Sequence, residues 1–162
     1  MFVFFTFFYS VSSFDLKLIP RTGSPPIAMI SSAAVYDNIT NTIYSLGGDQ
    51  TQNNKIVASV HAFNLDSLKW QEVRIESNFI PNALTNHAAY LRSDRKILTF
   101  GYWSEVLAFN IESHAWSVEE LKGDQIGGLG TFAFTVFTYN LSEFAAIYGG
   151  MRADGYSADL FL

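Results

Sequence analysis

The chain has 162 residues, 49% hydrophobic and 16% aromatic but only 15% charged, which is ample for a buried core and excludes a disordered chain. Its net charge of −5 and lack of any Lys/Arg cluster exclude the basic footprint of a nucleic-acid binder. Cysteine is absent, which excludes disulfides, thiolate zinc sites and a cysteine nucleophile.

The segment Met1 to Tyr9 is almost wholly apolar and too short to span a bilayer. It supports two readings: a buried strand, or the core of a secretory signal followed by Ser10, Ser12 and Ser13. With the strand reading, residues 2–9 and 14–19 are the last strands of an earlier sheet and a cytoplasmic protein is favoured. If residues 1–13 are a signal, the protein is secreted. Residues 20–26 carry prolines and a glycine, so they form a linker.

From there short apolar runs alternate with turn residues, the signature of strands. Residues 27–76 give strands near 29–36, 42–47, 57–64 and 69–75, with polar connections at 37–41 and 49–55. Residues 82–122 give strands near 85–91, 96–101, 105–110 and 115–121. Residues 130–162 give strands near 131–139, 143–149 and 156–162. No segment carries a helical apolar stripe.

Three runs end in a glycine step: Leu46-Gly47-Gly48, Phe100-Gly101-Tyr102 and Tyr148-Gly149-Gly150. An aromatic residue precedes each at nearly constant distance: Phe14 by 33 residues, Trp70 by 31 and Trp116 by 33. Between them, Ala62-Phe63-Asn64-Leu65-Asp66-Ser67-Leu68-Lys69-Trp70 recurs as Ala108-Phe109-Asn110-Ile111-Glu112-Ser113-His114-Ala115-Trp116, with the Phe-to-Trp interval kept at seven. A period near fifty residues is the mark of a repeat architecture.

This joint spacing resembles the kelch repeat, the unit of a family of β-propellers. The resemblance implies an all-β fold: an incomplete kelch-type β-propeller of about three four-stranded antiparallel blades. It makes Gly47, Gly48, Gly101, Gly149 and Gly150 strand-end turns, and Phe63, Trp70, Phe109 and Trp116 core packed between adjacent blades. The chain departs from the pattern at Tyr102, which stands where a second glycine is usual. His87 stands where a first-strand His is often found, and Ser32 occupies that place one repeat earlier. Propellers close with roughly four to eight blades. The remaining blades are therefore expected from a longer chain or from self-association.

Candidate chemistry is sparse. His61, His87 and His114 share no ligand spacing, and the carboxylates are spread singly over turns. Gly128 to Ala133 fits a loose G-x-G-x-x-A, but a β-rich run follows where a dinucleotide site needs a helix. The resemblance also brings in galactose oxidase, a copper enzyme of this propeller class that uses a Tyr crosslinked to a Cys; this chain has no Cys. The expectation is therefore a module with no catalytic activity and no cofactor, which binds a protein partner through its loops. In a meander blade, connections 49–55, 102–104 and 151–155 share one face with 20–26, 77–82 and 122–130. On that face Tyr102, Trp103, Arg152 and Asp154 are the candidate partner contacts. Asn38 and Asn140 open two N-glycosylation sequons, each in a first-hairpin turn, and support the alternative of a secreted or cell-surface glycoprotein.

Overall fold

The computed structural model describes residues 18–19, 22–50, 52, 55–101, 105–120, 124 and 126–162, and every regular element among them is a β-strand. The strands expected over 2–9 and 14–19 lie outside the described residues apart from Leu18 and Ile19, which are irregular.

The first sheet contains β1 (Met29–Ile30), β2 (Ala33–Asp37), β3 (Thr42–Gln50), β4 (Lys55–Asn64) and β5 (Lys69–Glu72). Both β1 and β2 pair antiparallel with β3, so the single strand expected at 29–36 is one strand broken at Ser31, whose φ is 57°. The strands β3 and β4 run beyond the glycine step into the stretch expected as loop. A bulge between Leu46 and Gly48 absorbs the step without ending the pairing.

The second sheet is an antiparallel meander of β6 (Ala88–Leu91), β7 (Lys96–Phe100), β8 (Val106–Asn110) and β9 (Ala115–Glu119). In the third, β10 (Ala133–Tyr139) pairs with β11 (Ser142–Tyr148). The last strand expected there, 156–162, is split. A hairpin of β12 (Met151–Arg152) and β13 (Gly155–Tyr156) precedes β14 (Leu160–Phe161), which returns to β11.

Strand alternation explains how the sheets stack. On β7 and β8, Ile97, Leu107 and Phe109 face the first sheet, where they join Tyr44, Leu46, Val60 and Trp116 in one core. The intervening Leu98, Phe100, Val106 and Ala108 face the third sheet and meet Leu129 and Ile147 in a second core. The second sheet is therefore buried on both faces, and β8 reads Val-Leu-Ala-Phe with no polar alternate. Burying Phe109 and Trp116, at 0% and 3% exposure, contributes on the order of 2–3 kcal/mol each.

The sequence repeat is a structural repeat. Phe63 lies opposite Trp70 and Phe109 opposite Trp116, with ring centroids 5.0 and 5.1 Å apart. In the turns between them, the side chains of Asn64 and Asn110 accept from the N–H groups of Ser67 and Ser113, each at 2.8 Å. The turns close through Leu68 and His114, at φ 54° and 53°. Each turn also donates to the preceding hairpin, from Leu65 N to Asn41 O at 2.9 Å and from Ile111 N to Arg95 O at 3.0 Å. An incoming segment covers each outer strand: Ser24 N donates to Trp70 O at 2.8 Å, and Trp116 N donates to Ser77 Oγ at 3.0 Å.

The innermost strands share a further device. Register makes Ser31, Asn86 and Thr131 equivalent, each two residues before the alanine that opens its strand in Ala33, Ala88 or Ala133. All three are left-handed, at φ 57°, 50° and 53°. Asn86 N donates to Ser31 O and Thr131 N donates to Asn86 O, both at 3.2 Å, forming a backbone ladder that crosses the stack.

Candidate functional site

The hairpin turns place polar side chains at the rim between the first two sheets. There the β2–β3 turn, the β4–β5 turn and His114 wall a groove of about 600 Å3. Thr40, Asn64, Ser67 and Lys69 offer polar groups along one wall, while Gln71 and Trp70 extend it down the outer strand. Tyr44 lines the inner end, and burial, with the nearby Asp37 charge, raises its hydroxyl so that it remains a protonated donor. Among the described residues the lining holds no carboxylate, and Lys69 has no ion-pair partner. The size is that of a ligand cleft.

Two carboxylates of the first two sheets are committed to structure. Asp37 is fully buried and takes a bidentate pair from Arg95, at 2.6 and 2.8 Å, which ties the first hairpin of one sheet to that of the next. Thr40 Oγ1 and Ile39 N donate to the same carboxylate. The Arg95 bond, opposed by burial, holds the Asp37 carboxyl well below its ordinary range. Glu119 accepts from Arg92 at 2.6 Å and from Lys96 at 3.3 Å. Between the second and third sheets the Tyr90 hydroxyl donates to Glu143, and burial together with this bond pushes that hydroxyl up to about 12.

Of the partner contacts expected from sequence, Arg152 and Asp154 fall on the other rim. Tyr102 and Trp103 lie outside the described residues. Arg152 is partly buried and turned inward, with its guanidinium 3.3 Å from the Gly127 carbonyl, 3.5 Å from Asp159 and 5.9 Å above the Phe161 ring. It braces the β12–β13 hairpin against its surroundings. Asp154 is exposed in the turn of that hairpin. Arg152 and Asp154 thus share one hairpin, the first bracing it and the second exposed at its turn. The groove residues Thr40, Asn64, Lys69 and His114 carried no sequence signal beyond the turn propensity of Asn and Ser.

The paired glycines of the strand-end steps take left-handed or otherwise positive φ, and at Gly47 and Gly150 a close neighbour adds to the demand. Gly47 and Gly48 have φ of 58° and 120°, and Gly48 N donates to Leu84 O at 2.7 Å. Gly149 and Gly150 have φ of 68° and 105°, and Gly101 is buried beyond the end of β7. Asn38 and Asn140 are both exposed in their hairpin turns. The three histidines are apart. His61 and His87 are packed inside, with burial lowering both. Neither ring nitrogen of His87 has a hydrogen-bond partner among the described residues. No group of three or more His, Asp or Glu able to hold a metal occurs among the described residues. No helix of the described residues is long and apolar enough to cross a membrane.

No protein-family profile matches the sequence. No curated protein matches it either. A solved structure described as "Structure of YjhT" does match, with a TM-score of 0.58 at 11% identity. The match covers 76% of this chain and 45% of that one. Likeness at this level concerns the fold alone: the chain is all-β, built of antiparallel sheets, and similar to a little under half of that neighbour.

Proposed function

We propose that the chain is part of a kelch-type propeller and serves as a non-catalytic module that binds a protein partner. The observation that carries this reading is the groove between the first two sheets, whose walls are hairpin turns on a rigid stack. Its lining offers hydroxyls, amides, the Lys69 ammonium and the Trp70 ring, with no carboxylate among the described residues. The carboxylates of Asp37 and Glu119 are bound to Arg95, Arg92 and Lys96, so these two serve packing rather than proton transfer. Such a lining suits an extended segment rich in acidic and polar side chains. The opposite rim, with Arg152 and Asp154, is the second place for contact.

The test starts with the immobilised chain, from which captured proteins are identified by mass spectrometry. The recombinant partner is then titrated against wild type, Lys69→Glu and Asp154→Lys. A loss of roughly tenfold or more with Lys69→Glu supports the groove. Unchanged affinity in that variant with loss in Asp154→Lys moves binding to the other rim, and no saturable partner refutes the reading.

A second reading, a secreted or cell-surface glycoprotein, is favoured by one observation: both sequon asparagines stand exposed in hairpin turns. Secretion from eukaryotic cells followed by glycosidase treatment decides it, since Asn38→Gln with Asn140→Gln must abolish any mass shift.

A further inference from the structure

The two inter-sheet cores define a rule that the third sheet leaves unfulfilled. In each of the first two sheets, the residue before the glycine step is buried against the sheet that follows: Leu46 at 0% exposure and Phe100 at 5%. The equivalent residue of the third sheet, Tyr148, is 56% exposed. Around it Phe137 and Phe144 pair with ring centroids 5.6 Å apart on the same open face.

The first sheet shows the converse. Leu91 of the second sheet packs into the core shared with the first. Its register equivalent Tyr36, on the side of the first sheet facing away from that core, is 53% exposed. The outer half of that side is closed, with Phe63 at 5% exposure, so the opening lies along the inner strands.

The backbone ladder supplies a second, independent sign. It runs Thr131 to Asn86 to Ser31, always N–H to carbonyl. Among the described residues no backbone bond extends it, so it ends on the Thr131 carbonyl at the third sheet and the Ser31 N–H at the first. One end accepts and the other donates, as a head-to-tail contact requires.

We propose that two copies of this chain join head to tail, with the β10–β11 face of one seated on the inner strands of the first sheet of the other. The contact repeats an interface the chain already makes twice internally, with Tyr148 taking the place of Leu46 and Phe100, and Tyr36 that of Leu91. The Ser31 N–H of the second copy then continues the ladder onto the Thr131 carbonyl of the first. A heterologous contact closes only if its rotation allows; otherwise it makes filaments. The three stacked sheets among the described residues of each copy make six in a pair, within the roughly four to eight that close a propeller. The ring count rests on the propeller reading above; the contact itself rests on the stacking alone.

Sedimentation equilibrium of the full chain tests the pairing, with a concentration-dependent dimer expected. Tyr148→Lys, at an exposed position that leaves the monomer core untouched, is expected to weaken the dimer by roughly tenfold or more. The cysteine-free background gives a second readout. Within one copy Ser31 and Thr131 are two rungs apart, whereas across the contact they are neighbours. Oxidised Ser31→Cys/Thr131→Cys is therefore expected to run as a covalent dimer on a non-reducing gel. A monomer at all concentrations, a dimer indifferent to Tyr148→Lys, or failure to crosslink would overturn the proposal. A ladder of longer covalent species would overturn closure of the pair. Each result is independent of whether the groove binds a partner.

Discussion

Replacing Gly47 and Gly149 by alanine, one at a time, separates two costs that the glycine motif combines. Both residues are left-handed, at φ 58° and 68°. An L-residue in that region costs roughly 1–2 kcal/mol whatever surrounds it. Their neighbourhoods differ. A Cβ on Gly47 would lie 2.4 Å from the Leu84 Cβ and 2.5 Å from the Leu84 carbonyl oxygen. Neither atom is the free end of a flexible side chain, and Leu84 is fully buried. Relief requires the backbone at Leu84 to retreat, which strains the bond from Gly48 N to Leu84 O and the one from Leu84 N to Val57 O. Overpacking of this kind adds about 1–3 kcal/mol. A Cβ on Gly149 meets nothing nearer than the Ser157 carbonyl oxygen, at 3.6 Å. The expectation is about 2–5 kcal/mol for Gly47→Ala and about 1–2 kcal/mol for Gly149→Ala. Urea titrations of both variants, followed by tryptophan fluorescence, measure the difference. Equal losses, or a greater loss at Gly149, would show that the close approach of Leu84 carries no energetic weight.

The same titrations test the aromatic pairs. Trp116→Ala is expected to cost about 3–5 kcal/mol because the ring is 3% exposed, and Trp70→Ala less because its ring is only half-buried. A larger loss at Trp70 would refute that order. Asp37→Asn leaves the Arg95 guanidinium, 17% exposed, without its carboxylate and is expected to cost about 2–4 kcal/mol. Since the folded Asp37 carboxyl lies below its ordinary value of 3.8, its stabilisation is present above that value. It is lost as pH falls further, so Asp37→Asn should flatten the acid limb of stability against pH. His87 has the opposite charge type but the same direction: burial lowers it from 6.5 to about 4, so the fold holds it neutral while the unfolded chain takes up a proton. Its contribution is complete above pH 6.5 and is lost as pH falls toward 4, by up to about 3 kcal/mol. His87→Phe, which copies the equivalent Phe132, removes two unpartnered nitrogens and should raise the urea midpoint increasingly as pH falls from 6.5, most at about pH 4 and below. A variant that follows the wild-type pH profile would exclude His87 as the source.

What the sequence made legible is what the chain achieves locally. The interval from Phe63 to Trp70 is a hairpin whose turn is built by Asn64, Ser67 and Leu68, all within it, so its copy at Phe109 to Trp116 was readable as a unit. The glycine step was readable because left-handed backbone strongly selects for glycine. The inter-sheet ties were not. Asp37 and Arg95 are 58 positions apart and Tyr90 and Glu143 are 53 apart, and nothing local distinguishes Asp37 from the exposed Asp66. The break at Ser31 was hidden for a related reason. No glycine marks the left-handed backbone at Ser31, and its register equivalents Asn86 and Thr131 share no side-chain chemistry, since only their backbone is used. The groove escaped because its walls come from turns of two sheets whose approach is set by the cores beneath them.

Residue choice on each face also reports on its neighbours. The inner strands of the second sheet carry Ile97, Leu98, Leu107 and Phe109 with hardly a polar interruption, as two flanking sheets require. A last sheet facing water would alternate, with charged or small polar residues on the open side. The third sheet does alternate in burial, yet on its open side it keeps Phe137, Tyr139, Phe144 and Tyr148. Of its described charges, Glu143 is drawn to Tyr90 on the buried side, and Arg152 to Asp159 beside the Phe161 ring. An aromatic face shared by two adjacent strands, with no charge placed to break it, is costly to leave in water and marks a surface for contact. The composition of β10 and β11 therefore argues for a covered third sheet on grounds separate from register and the backbone ladder.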